Sequence, residues 1–173
     1  MDERHPLADG LERLWTPYRM AYIRGAELGR QQQEDGCPFC RIPEMDDAEG
    51  LVVRRGEHCY VVLNLHPYNP GHLMVNPYRH VAELEELTVA ESAELMALTQ
   101  AAIRTIKAVS NPRALNVGLN LGSAAGGSLA AHLHQHVVPR WVGDANFITV
   151  TGNTKVIPQL LAETRELLAQ AWS

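Results

Sequence analysis

Histidines at positions 132, 134 and 136 alternate with Leu133 and Gln135 and run into Val137 and Val138. In an extended chain successive side chains turn to opposite faces, so all three imidazoles project from one face in a row. A helix would scatter them, and no helical periodicity surrounds them. Imidazole titrates near neutral pH and can act as base, acid, nucleophile or metal ligand. A neutral ring nitrogen is a good nucleophile toward phosphorus when a hydrogen bond to its other nitrogen fixes the tautomer. His134 is the best-placed nucleophile, because both neighbouring imidazoles can flank it. His136 then suits donation of a proton or hydrogen bond to a leaving oxygen. Just upstream, after Asn120, residues 122–128 read Gly-Ser-Ala-Ala-Gly-Gly-Ser. Successive backbone N–H groups in so small a loop can form an anion-binding nest, and Gly127 and Ser128 let a phosphate approach closely.

Cys37 and Cys40 form a second constellation. Two thiolates at this spacing can chelate zinc, whose structural sites take four ligands, so histidines must complete the set. A redox dithiol and a reduced, metal-free pair are the competing readings. The thioredoxin-like reading needs a strand–helix context that Gly36 and Pro43 do not suggest. Cys59 lies in a β-rich run and reads as a core thiol.

The elements that must position these groups follow from the patterning. Residues 51–53 and 60–63 are β-rich runs separated by a polar stretch, the mark of a hairpin. Asn69-Pro70-Gly71 is a turn signal, and residues 72–75 make a further strand. Val62 and Asn64 share one face of their strand, as His72 and Met74 share one face of theirs. Thr88 and Glu91 form a capping box. The helix they open carries Val89, Leu95, Met96, Ala102, Ile103, Ile106 and Val109 as one apolar stripe and ends near Ser110–Pro112. Residues 115–121 and 133–138 read as strands, and 147–150 as a short strand or extended loop. Pro158 marks the start of a last helix whose apolar face holds Leu160, Leu161, Leu167 and Leu168. Residues 37–40 read as a tight turn. Residues 1–13 read as a loose arm, 14–23 as an aromatic segment that packs on the body or on a partner subunit, and 30–36 as a polar loop. Strands linked by turns predict an antiparallel sheet and the α+β class.

The chain has 173 residues, 46% apolar and 20% charged, with a net charge of −5. This describes a soluble domain with a real core. The charge argues against a nucleic-acid surface, while local loops can still hold a small anion. No apolar run reaches transmembrane length, and residues 1–4 have no apolar segment behind them, so neither a membrane partner nor a signal peptide is expected. Three cysteines exclude a full disulfide framework, which places the protein in the cytoplasm.

The segment from His132 to Val138 resembles the signature of the histidine-triad (HIT) family of nucleotide hydrolases and transferases. Asn64, the Pro70-Gly71-His72 turn, residues 73–75 and Pro77 fall where that family has its nucleotide-binding hairpin. The resemblance spans residues 37–140, with 1–36 as an N-terminal arm and packing segment and 141–173 as a C-terminal extension with a helix. Residues 14–20 and the extension resemble a narrower branch, the actinobacterial members that phosphorolyse diadenosine tetraphosphate. The resemblance implies a five-stranded antiparallel sheet with two main helices, assembled as a homodimer or higher homo-oligomer. It implies that His134 attacks an α-phosphate to form an adenylyl-imidazole, with His72 as a proton relay behind it. It implies that Val62 and Met74 line the base pocket and that Asn64 binds the ribose hydroxyls. It implies a zinc site in which His80 and His132 complete the Cys37–Cys40 pair, and no organic cofactor. Most HIT hydrolases carry glutamine where Ser128 stands; its absence leaves room for a second anion, so inorganic phosphate joins the nucleotide as a partner. A HIT hydrolase of dinucleoside polyphosphates or nucleoside phosphoramidates is the alternative. Gln135 is a second departure, facing away from the histidine row toward water or a subunit interface.

Overall fold

The computed structural model describes residues 36–126, 129–144, 147–152 and 156–172. The arm and aromatic segment expected over 1–35 lie outside the described residues. Five strands form one antiparallel sheet: β1 (Val52–Arg55), β2 (Cys59–Leu63), β3 (Leu73–Pro77), β4 (Ala114–Leu119) and β5 (Gln135–Arg140). Their order across the sheet is β1-β2-β3-β5-β4, so β5 inserts between β3 and the edge strand β4. The helices are α1 (Pro38–Arg41), α2 (Val89–Ser110), α3 (Phe147–Thr151) and α4 (Leu161–Gln170). This is the α+β architecture expected, with α2 and α4 as its main helices. No described helix is long and apolar enough to cross a membrane.

The central strands β2 and β3 are buried along their whole length, because both faces of the sheet are covered there. One face meets α2 and α4: Val61, Leu63, Leu73, Val75 and Val137 pack with Leu95, Ala102 and Ile106 of α2 and Leu168 of α4. The other gathers Val52, Tyr60, Val62 and Met74 around Phe39 of α1. Register puts Val62 opposite Met74 and Met74 opposite His136, so the histidine chemistry shares the Phe39 face and not the α2 face.

Helix α2 is anchored at its start. Thr88 accepts from the Glu91 backbone N–H at 3.2 Å, and the Glu91 carboxylate accepts from the Thr88 N–H at 2.8 Å. One turn on, the Glu94 carboxylate accepts the backbone N–H groups of Glu57, His58 and Cys59 in the β1–β2 turn. A side chain at Gly56 would collide with that carboxylate.

Several local expectations are corrected. The segment 37–40 is not a bare turn: Pro38 presets the φ of a first helical residue, and α1 follows. The buried stripe of α2 is narrower than its apolar residues suggest. Leu95, Ala102 and Ile106 are buried with Thr99, whereas Val89 and Met96 are 88% and 50% exposed. A helix shows the sheet only one narrow arc, and a hydroxyl that bonds its own backbone can sit inside it; Thr99 Oγ1 donates to the Leu95 carbonyl at 2.7 Å. Residues 147–150 are helical in α3 rather than extended. Helix α4 starts three residues after Pro158; Leu168 is buried, but Leu160 and Leu167 are 68% and 43% exposed. β5 begins at Gln135 instead of Leu133, since the residues before it pair differently: the Leu133 N–H donates to the Val81 carbonyl at 2.7 Å. Gln135 meets neither water nor an interface. It is buried against α2, where its amide nitrogen donates to Thr99 Oγ1 at 2.7 Å.

Candidate active site and metal centre

The chain reaches His134 through an extended approach to β5, and the backbone there fixes the ring. His134 Nδ1 lies 2.7 Å from the carbonyl oxygen of His132, so Nδ1 carries the proton and donates it. Nε2 is left with its lone pair, the nucleophilic form of the ring. Phe39 packs on both rings, with centroids 5.5 Å from His132 and 5.0 Å from His134.

His136, the first of the row inside β5, belongs to a hydrogen-bonded chain. The Tyr68 backbone N–H donates to His72 Nδ1 at 3.1 Å, and the Asn64 amide nitrogen approaches the same atom at 3.4 Å. His72 Nδ1 is therefore an acceptor, and the ring's proton sits on Nε2. That atom is 2.9 Å from His136 Nδ1 and donates to it. The proton of His136 is consequently on Nε2, beside the Asn120 amide at 3.5 Å and 5.0 Å from the His134 ring, centroid to centroid. One backbone N–H thus sets two tautomers and presents an N–H donor next to the free nitrogen of His134. Burial, together with His136 and His134, pushes His72 down to about 3. Burial and His134 push His136 down to about 4. Both rings are neutral at pH 7, as the chain of single donors requires.

The other sequence-predicted residues fall as follows. Val62 and Met74 sit beneath this surface in the Phe39 cluster, 1% and 6% exposed, so they form a floor and offer little wall. Asn64 Oδ1 accepts from the His66 N–H at 2.9 Å, which orients its amide toward His72. Gly127 and Ser128 lie outside the described residues.

Cys37, Cys40, His80 and His132 converge, with their four ligand atoms all within 4.8 Å of one another. His132 Nδ1 is 3.4 Å from Cys37 Sγ and 3.5 Å from Cys40 Sγ, and His80 Nδ1 is 3.3 Å from Cys40 Sγ. Ordinary zinc–sulfur and zinc–nitrogen bonds at tetrahedral angles separate such atoms by about 3.6 Å, so the cluster has the right size for a metal ion. His132 is 1% exposed, and its Nε2 donates to the Pro77 carbonyl at 2.9 Å, which leaves Nδ1 free to ligate. Burial lowers the His132 pKa, favouring the neutral form that binds metal. Burial and the neighbouring Cys37 raise the Cys40 thiol, so a cation is what would stabilise the thiolate. His80 is the exposed member of the set; beside it in the chain, Arg79 makes a two-point contact with the Glu91 carboxylate, both distances 2.9 Å, and holds Glu91 at about 2.

Sequence reasoning missed three contributors, namely the Tyr68 N–H, the Pro77 carbonyl and the Phe39 ring. The first two act through backbone atoms, which leave no residue-type signal. Phe39 lies inside Cys-Pro-Phe-Cys, and its aromatic character there was the available clue.

A histidine row with one ring tautomer locked by a backbone carbonyl, on a five-stranded antiparallel sheet, marks a protein of the histidine-triad class. The chain belongs to the HIT family, whose domain profile matches residues 46–142. It is 64% identical over 168 residues to the AP-4-A phosphorylase of Mycobacterium tuberculosis, covering 95% of this chain and 86% of that protein. It is 36% identical to the bis(5'-adenosyl)-triphosphatase of Saccharomyces cerevisiae, over 54% of this chain and 47% of that one. Among solved structures, a Zn-bound histidine triad family protein from Mycobacterium smegmatis superposes with a TM-score of 0.62 at 26% identity, covering 79% and 92% of the two chains.

Proposed function

We propose that this protein is a diadenosine tetraphosphate phosphorylase, a nucleotidyltransferase that converts diadenosine tetraphosphate and inorganic phosphate to ATP and ADP. The observation that carries this reading is the extent of the likeness. The match to the M. tuberculosis AP-4-A phosphorylase runs through 95% of the chain, well beyond the HIT domain, whereas the match to the yeast triphosphatase stops at 54%.

His134 Nε2 attacks the α-phosphorus, forming an N–P bond as the bridging P–O bond breaks. His136 Nε2–H stands where it can hand a hydrogen bond or proton to the departing oxygen of ATP, and His72 keeps that proton on the correct nitrogen. Inorganic phosphate then displaces His134 from the adenylyl group, which leaves as ADP. Splitting one displacement into two is the purpose of a covalent nucleophile. Asn64 serves the ribose, Val62 and Met74 underlie the base, and Asn120, Gly127 and Ser128 hold the anions. Cys37, Cys40, His80 and His132 would hold zinc, which supplies a structural cross-link between α1 and the approach to β5. The zinc-bound M. smegmatis relative supports that ion.

The catalytic unit spans residues 37–140 in this reading, flanked by the 1–36 arm and the 141–173 extension, in a cytoplasmic homo-oligomer. The edge strand β4, with Val117 46% exposed, supports self-association. The yeast relative favours a second reading, hydrolysis with water as acceptor. Turnover of diadenosine tetraphosphate with and without phosphate separates them: ADP plus ATP, only when phosphate is present, supports the phosphorylase, and AMP plus ATP supports the hydrolase.

A further inference from the structure

A cleft of 410 Å³ opens over β4 and β5 beside His136. Strand order places it on the opposite side of the histidine row from Val62 and Asn64, which belong to β2 and its exit. In the adenylyl-transfer reading the leaving group is the one that His136 faces, so nucleotide needs room on both sides of the reacting phosphorus. The cleft begins at Asn120 and His136, passes Gly118 and ends at Asn116, Arg140 and Asp144. Gly118 is in register with His136, and a Cβ there would meet nothing within 4 Å, so the strand floor is open.

The far end is built for a neutral polar group. Arg140 donates to Asp144 through Nε at 2.7 Å and a terminal nitrogen at 3.1 Å, so neither charge is left over for a phosphate. The other terminal nitrogen of Arg140 donates to Asn116 Oδ1 at 3.0 Å, turning the Asn116 amide donors outward. Asp144 is fixed further by the Asn69 amide at 2.7 Å. Between the two ends Tyr68 adds a flat apolar face: it is 58% exposed, its ring lies 29° from parallel with that of His136 at 5.9 Å, and its neighbour Asn69 is the residue bonded to Asp144. An exposed aromatic face beside carboxylate and amide hydrogen-bonding groups is the chemistry that holds a nucleoside.

We propose that this cleft is the subsite for the nucleoside end of the leaving nucleotide, with Tyr68 stacking on the base and Asn116 and the Arg140–Asp144 pair meeting its polar groups. The inference rests on the adenylyl-transfer reading above and adds to it why a dinucleotide is preferred. The test compares diadenosine tetraphosphate with adenosine 5'-tetraphosphate, which has the same adenylyl group and phosphate count but no second nucleoside. The readout is the ratio of the two kcat/KM values, taken from loss of donor so that it holds for either acceptor. The wild-type ratio should favour the dinucleotide, fall about tenfold in Tyr68→Ala, since one lost base stack has that size, and be restored in Tyr68→Phe; Asn116→Leu, which removes polar contacts only, should also lower it. Calorimetric binding of both nucleotides to the His134→Ala protein gives the same comparison without turnover. A wild type that treats the two donors alike, or a ratio unmoved by the variants, overturns the subsite. Failure to transfer to phosphate while the ratio still falls overturns the phosphorylase reading alone.

Discussion

His132 serves two neighbours at once: its ring nitrogen Nδ1 stands 3.4 Å from Cys37 Sγ, and its carbonyl oxygen stands 2.7 Å from His134 Nδ1. The residue that completes the Cys37, Cys40 and His80 cluster is the one that sets the tautomer of the proposed nucleophile. His134→Ala should therefore lower turnover roughly a thousandfold or more, as loss of a covalent nucleophile does. Nucleotide binding, measured by calorimetry, should survive because Asn64 and the Asn120 loop remain. Full activity in this variant would remove His134 from the mechanism.

The proposed zinc site predicts a separation between stability and chemistry. Protein purified without added metal should carry about one zinc per chain by elemental analysis. Cys40→Ser or a strong chelator should lower the melting temperature more than it lowers kcat, because the ligands tie α1 to the His132 segment and do not touch substrate. Well-folded protein free of zinc would contradict the site.

The buried relay makes stability depend on pH. The folded-state pKa of His72 is about 3 and that of His136 about 4, both below the ordinary 6.5, chiefly through burial. The unfolded chain then binds more protons than the folded one between about pH 4 and 6.5, so stability rises with pH across that window and is lost as pH falls through it. The melting temperature should drop from pH 7 to pH 5, and His72→Gln, which keeps an N–H for His136 but cannot titrate there, should flatten the slope. An unchanged slope would mean that these rings do not titrate as described.

Much of this was legible in the sequence because periodicity reports it directly. Alternation put the three histidines on one face, and the Thr88–Glu91 box placed the start of α2 at Val89. What periodicity cannot report is which arc of a helix meets a sheet and what a buried polar side chain bonds to. Met96 therefore looked like core, while Gln135 and Thr99 did not. The four residues of the candidate metal cluster were named through family resemblance, since spacing alone pointed only to Cys37 and Cys40. The Tyr68 N–H and the Pro77 carbonyl act as backbone atoms, which every residue type possesses.

The Gln135–Thr99 contact carries its own prediction. Thr99→Val leaves the Gln135 amide buried without its acceptor and should cost about 1–3 kcal/mol in denaturant unfolding. Thr99→Val combined with Gln135→Leu removes both polar groups and should recover part of that loss. Strict additivity of the two substitutions would show that the hydrogen bond couples nothing.

In the proposed mechanism His134 carries the adenylyl group and phosphate, not water, collects it. Mass spectrometry of the protein mixed with diadenosine tetraphosphate in phosphate-free buffer tests both halves in one sample. The expected result is release of ATP, an adenylyl group retained on His134, and its discharge as ADP when phosphate is added. AMP and ATP formed at full rate without phosphate, with no adenylyl group on His134, would contradict it.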